Sequence, residues 1–159
     1  MNKLILMFMF TFCLGCVLYA QDDSVLWTKD YETYHNSMAF SPTENYVAVG
    51  AGSIGVVKLD ILTGEELGRF PDADQAKPLS ICFSPDGKFL AVGYTGRVYV
   101  WNTETKEKTM VEQSEGLGPF DMEFSPDGTM FAVAGGAGGV YIFETGTWKT
   151  LKHKEEVYF

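Results

Sequence analysis

Histidine and cysteine are almost absent from this chain, and their scarcity removes most of the usual catalytic chemistry. Its 159 residues include two histidines and three cysteines. Cys13 and Cys16 fall in the first twenty residues, so Cys82 stands alone downstream. A lone thiol makes no intramolecular disulfide, and no zinc-ligand spacing can be assembled. His35, beside Tyr34 and Asn36, reads as a surface residue, and neither it nor His153 lies in a motif that would serve a nucleophile. Basic charge is scarce too: 12 lysines and arginines face 21 acids, a net charge of −9. A nucleic-acid binder shows a basic face, so this balance argues against DNA, RNA and anionic lipid as partners. Helix caps and helical periodicity are missing after the first twenty residues.

Long apolar runs are missing as well, with one exception at the start. Lys3 precedes an apolar run from Leu4 to Leu18, and Ala20 stands just before Asp22-Asp23. The run is shorter than the ~20 residues a membrane span needs. Basic start, short apolar core and small exit residue form the pattern of a secretory signal peptide. The expectation is cleavage after Ala20 and export to the periplasm or the extracellular space, with no membrane span after processing. A second reading is a lipoprotein: Cys13-Leu14-Gly15-Cys16 partly resembles a bacterial lipobox, with Cys16 as the lipidated residue.

What the chain does have is a repeat. Phe-Ser-Pro occurs at Phe40-Ser41-Pro42, Phe83-Ser84-Pro85 and Phe124-Ser125-Pro126, at intervals of 43 and 41 residues. A period of this size marks a stacked-repeat fold. Each copy continues in the same order. The anchor strand runs through Met38, Ile81 or Met122 to the Phe, and a turn follows. A continuous apolar run comes next, such as Phe89 to Val92, suited to a strand buried on both faces. A Gly-rich hairpin and a β-branched, aromatic third strand follow, such as Val98-Tyr99-Val100-Trp101. A more polar outer strand closes each unit, near Leu67–Phe70, Thr109–Glu112 and Trp148–Leu151. The three anchor phenylalanines should occupy equivalent core positions. Cys82, one residue from its anchor, should face the other way, as a small packing residue.

Four strands per unit, a period near 42, Phe-Ser-Pro-Asp-Gly and a third strand ending in Trp101-Asn102 resemble the WD-repeat family of β-propellers. The resemblance covers residues 36–152 and is degenerate. The Trp-Asp pair stands here as Leu59-Asp60, Trp101-Asn102 and Phe143-Glu144. The Gly-His pair expected before the first strand is missing, so the family's His–Asp–Ser–Trp network is not expected. The resemblance implies an all-β fold, a partial propeller of three four-stranded antiparallel blades. Residues 1–20 are read as the signal peptide, 21–35 as an N-terminal segment with a candidate extra strand, and 153–159 as a tail or the start of a fourth blade. Closed propellers have about four to eight blades, so three units imply a homo-oligomer or a piece of a larger propeller.

Chemistry-bearing motifs are few. Gly50-Ala51-Gly52-Ser53-Ile54-Gly55 matches G-x-G-x-x-G, but a strand follows it where a dinucleotide site needs a helix. Related Gly-rich turns recur in the other units, so this is a hairpin. Asp72-Ala73-Asp74 could contribute to a calcium site, but no ladder of further ligands follows, and it reads as a solvated acidic loop. The links between units lie on the rim where propellers of this family bind ligands. The candidate binding residues there are Asp72, Asp74, Gln75, Glu115 and Asp121. No catalytic, metal or cofactor residues are expected. The leading function is a non-catalytic module binding a protein or peptide, and the alternative is a fragment of a secreted propeller enzyme, lactonase-like or quinoprotein-like.

Overall fold

The computed structural model describes residues 25–31, 35–70, 77–113, 121–135 and 139–154. These form twelve strands in three four-stranded antiparallel sheets. The first blade holds β1 (His35–Phe40), β2 (Tyr46–Ala51), β3 (Val56–Asp60) and β4 (Glu66–Phe70). The second holds β5 (Ser80–Phe83), β6 (Phe89–Tyr94), β7 (Arg97–Asn102) and β8 (Lys108–Gln113). The third holds β9 (Asp121–Phe124), β10 (Met130–Ala134), β11 (Val140–Glu144) and β12 (Thr150–Lys154). Each sheet is a simple meander, its strands neighbouring in chain order. The all-β blade architecture read from the repeat is the one observed.

Local chemistry explains the turns. In Ser84-Pro85-Asp86-Gly87, Ser84 Oγ donates to Asp86 Oδ1 at 2.7 Å and accepts from the Phe89 amide at 2.9 Å. Ser125 and Asp127 repeat this at 2.6 Å, and Asp127 also accepts from the Thr129 amide at 3.0 Å. These bonds hold the Asp127 carboxyl down at about 2, the Ser125 hydroxyl being the largest cause. The turns after the third strands of the first and second blades are built by the second residue of the degenerate Trp-Asp pair. Asp60 Oδ1 accepts from the Leu62 and Thr63 amides at 2.9 and 2.8 Å, and Asn102 Oδ1 from the Glu104 and Thr105 amides at 3.0 Å each. These are Asx turns, which explains why Asp or Asn suits that place. The turn closes on a left-handed residue four positions on: Gly64, Lys106 or Trp148, with φ of 69°, 63° and 56°.

The apolar core lies between the sheets. The first seam joins Tyr46, Ala48, Val56 and Phe70 to Ile81, Leu90, Val92 and Trp101. The second joins Ala91, Val98 and Val100 to Met122, Phe124, Phe131 and Phe143. Strand alternation produces this division, since neighbouring residues of one strand serve opposite seams. Leu90 and Val92 face back to the first blade while Ala91 faces on to the third, so the apolar run is buried on both sides as expected. Trp101 is buried, and its indole nitrogen has no hydrogen-bond partner among the described residues. Packing surrounds the ring, with Phe70 and Tyr99 edge-on to it at 6.5 and 5.9 Å.

The three anchor phenylalanines sit at matching register, Phe40 opposite Val47, Phe83 opposite Leu90 and Phe124 opposite Phe131. They do not share an environment, which corrects the expectation of three equivalent core positions. Phe124 is 5% exposed, Phe83 is half-buried against Tyr46, and Phe40 is 62% exposed. The cause is the direction of stacking. This position faces the preceding blade, and no blade precedes the first among the described residues.

Candidate functional site

No group of three or more metal-ligating side chains occurs among the described residues. Cys82 lies opposite Ala91 in β6 and packs into the second seam, on the face opposite the anchor Phe as expected. Burial, then the charges of Asp121 and Glu123, push its thiol up to about 12. A thiol so rarely ionised is a poor nucleophile. Cys82 should therefore resist an aromatic disulfide reagent at pH 8 in the folded protein and react at once in denaturant. Rapid reaction in the native state would show that the second seam opens.

Of the candidate link residues, Asp72, Asp74, Gln75 and Glu115 lie outside the described residues. Asp121 opens strand β9 opposite Ala134, and its Oδ1 accepts from the Met122 amide at 2.9 Å. It therefore belongs to the outward face of the third blade. The Gly50–Gly55 segment is a 3-10 turn (Gly52–Ile54) leading directly into β3, the hairpin read from the sequence.

The geometry that stands out is the pair of end faces. In the inner seams, Ala48 and Ala91 are fully buried, and Val56 and Val98 are each 1% exposed. Their counterparts in the third blade are Ala132 and Val140, and Val140 is 50% exposed. That face also carries Ile142, Met130 and Ala134, with exposed Asp121, Glu123 and Glu144 among them. A shallow groove of about 310 Å³ runs across it, lined by Glu123, Phe124, Met130, Ala132 and Ile142 among others. An apolar middle with acidic groups around it is the kind of patch that gains from burial against another surface. The equivalent of Ile142 in the first blade is Lys58, whose stem lies in the first seam. Its ammonium stands 4.5 Å from the Tyr46 ring centroid and 4.7 Å from that of Phe70. Burial, and then Lys106, hold its pKa below the usual lysine value.

The first blade's outer face is only partly open. Met38 and Phe40 are exposed, but Val47, Val57 and Leu59 are buried. They lie under Trp27 and Tyr31 of the N-terminal segment. Residues 25–31 join no strand ladder and run across this face as a strap. Trp27 Nε1 donates to the Ile61 carbonyl at 2.8 Å, and the Tyr31 hydroxyl donates to Glu66 at 3.2 Å. The extra strand read as a candidate in residues 21–35 is not formed over 25–31, where the chain is a strap outside any sheet. The signal for the strap was present in the apolar strands beneath it, which need a cover that no earlier unit among the described residues supplies.

Meandering four-stranded sheets stacked face to face define a β-propeller class of protein. Among protein families, the WD domain, G-beta repeat, matches residues 64–102. The COMPASS component SWD2 of Saccharomyces cerevisiae is 27% identical over 124 residues, 69% of this chain and 38% of the relative. WD repeat-containing protein 82 of Drosophila melanogaster is 30% identical over 110 residues, 67% of this chain and 35% of the relative. The chain thus spans little more than a third of the length of these relatives. The crystal structure of RRP9 WD40 repeats superposes with a TM-score of 0.70 over 80% of this chain and 40% of that one, at 12% identity. That likeness speaks to the fold alone. The repeats of this chain are WD repeats, as their residues suggested.

Proposed function

We propose that the chain is an exported, non-catalytic WD-repeat module that binds a protein partner through its outermost blade face. The single observation that carries this reading is Val140. It is half exposed on the third blade, while Val56 and Val98, at the same place in the other two, are sealed. Apolar surface left open on a folded module is where a partner gains most from burial. Asp121, Glu123 and Glu144 among the apolar residues favour a partner whose contact surface carries lysine or arginine. One relative is itself named as a component of an assembly, which fits such a role. Export rests on the leader pattern of residues 1–20, and the non-catalytic role on the chemistry of the described side chains.

The test is affinity capture from the native envelope, with the chain beginning at Gln21 as bait and its Ile142→Glu variant in parallel. The expected result is a protein retained by the first and lost from the second. Equal retention by both baits would place the contact elsewhere. The intact mass of the native protein tests export, with Gln21 as the expected first residue.

A further inference from the structure

We propose that residues 25–31 are a displaceable strap that fills the seat of a preceding blade on the first sheet, in competition with the third blade of a second copy of the chain. The inference rests on the reading that blade faces are contact surfaces, and it adds an internal competitor for one of them. The position four residues after the degenerate Trp-Asp pair's second member shows how the seat is filled. In the third unit it is Trp148, whose ring packs at 5.1 Å from Phe89 of the second blade and 6.2 Å from Phe131 of its own. It thus sits in the second seam, against the preceding blade. In the second unit it is Lys106, whose ammonium reaches to 5.7 Å from the Phe70 ring of the first blade. In the first unit it is Gly64, which has no side chain to contribute. The backbone does not demand glycine there, because Lys106 and Trp148 hold the same left-handed conformation. What glycine supplies is room. A Cβ on Gly64 would stand 2.6 Å from the Trp27 ring. Trp27 therefore brings an indole over Val47 and Leu59, as Trp148 does over their counterparts Phe131 and Phe143. The strap imitates one contact of a blade and leaves Met38 and Phe40 uncovered.

The surface that would complete this face is on the same chain. The third blade presents Ala132, Ala134, Val140 and Ile142 at the register where the first blade presents Ala48, Gly50, Val56 and Lys58 to the second. Head-to-tail contact between two copies is heterologous, and two copies of three blades each make six, within the range in which propellers close. The strap holds this association down because its contacts must be broken first.

Light-scattering or sedimentation mass over a concentration series tests the idea with Trp27→Ala and Gly64→Ala. Both uncover the seat, one by deletion and one by collision. The expected result is an association constant raised at least tenfold over wild type in both variants, and abolished when Ile142→Glu is added. Circular dichroism confirms that each variant is folded. If one does not fold, the other carries the test, and proteolytic nicking of the wild-type strap gives a third route to the same exposed seat. Folded strap variants with the wild-type mass profile overturn the proposal, as does an association that Ile142→Glu leaves intact. Neither outcome touches partner capture by the wild-type chain, so the two readings fail separately.

Discussion

Replacing the three anchor phenylalanines by alanine should give three different losses of stability despite their identical place in the repeat. Phe124→Ala is expected to cost about 3–5 kcal/mol, the usual range for a buried aromatic. Its ring is sealed in the second seam at 4.7 Å from that of Phe131. Phe40→Ala should stay within about 0.5 kcal/mol of wild type, as surface substitutions do. Phe83, half-buried at the edge of the first seam, should fall between them. Urea melts at low protein concentration measure all three. A loss at Phe40 matching that at Phe124 would mean that the first blade's outer face is covered in solution, and would remove the physical basis for an open end.

Trp101→Ala should cost a similar ~3–5 kcal/mol, since the indole fills the first seam beside Phe70 and Tyr99. Trp101→Phe makes the sharper test. It keeps an aromatic ring in the seam and deletes an N–H that is buried without an acceptor. Leaving such a donor unpaired costs about 1–3 kcal/mol, so its removal offsets part of the lost packing. The expected net loss is below about 1.5 kcal/mol, as for shape-conserving core changes. If phenylalanine cost as much as alanine, the indole nitrogen would have to be bonded, and the polar network thought missing would be present in another form.

The blade plan was legible because the repeat aligns against itself. Three copies show what varies and what does not, and strand alternation then divides each strand between two seams. The sidedness of Cys82 followed from that rule alone. Burial was less legible. A period assigns Phe40, Phe83 and Phe124 one role, but burial depends on what lies against a sheet, and among the described residues only the middle sheet has another on both sides. The strap was hidden for a related reason. Trp27 and Tyr31 belong to no repeat, and their partners Val47, Val57 and Leu59 are found only once the sheet's outer face is identified. The room that Gly64 leaves for Trp27 is visible only beside Lys106 and Trp148, which show that the turn accepts other residues. The binding surface was sought in the links between units, by analogy with closed rings. The outermost sheet carries no unusual motif. Its distinction is a face with no sheet against it among the described residues, which no residue of its own records.

The unequal sealing of the sheets also bears on the lifetime of the protein. In a stack whose units touch only their neighbours, stability is a sum of unit and seam contributions. The middle sheet comes loose only if both seams part, whereas the third needs to break one. Among the described sheets the first and the third each have a single seam with another sheet, so local opening should begin at one of these two rather than at the middle. The face proposed to take a partner would then lie on one of the less secure sheets. A protein seated on Val140 and Ile142 would hold that piece down by mass action and slow its removal. Abundance would then follow the supply of the partner.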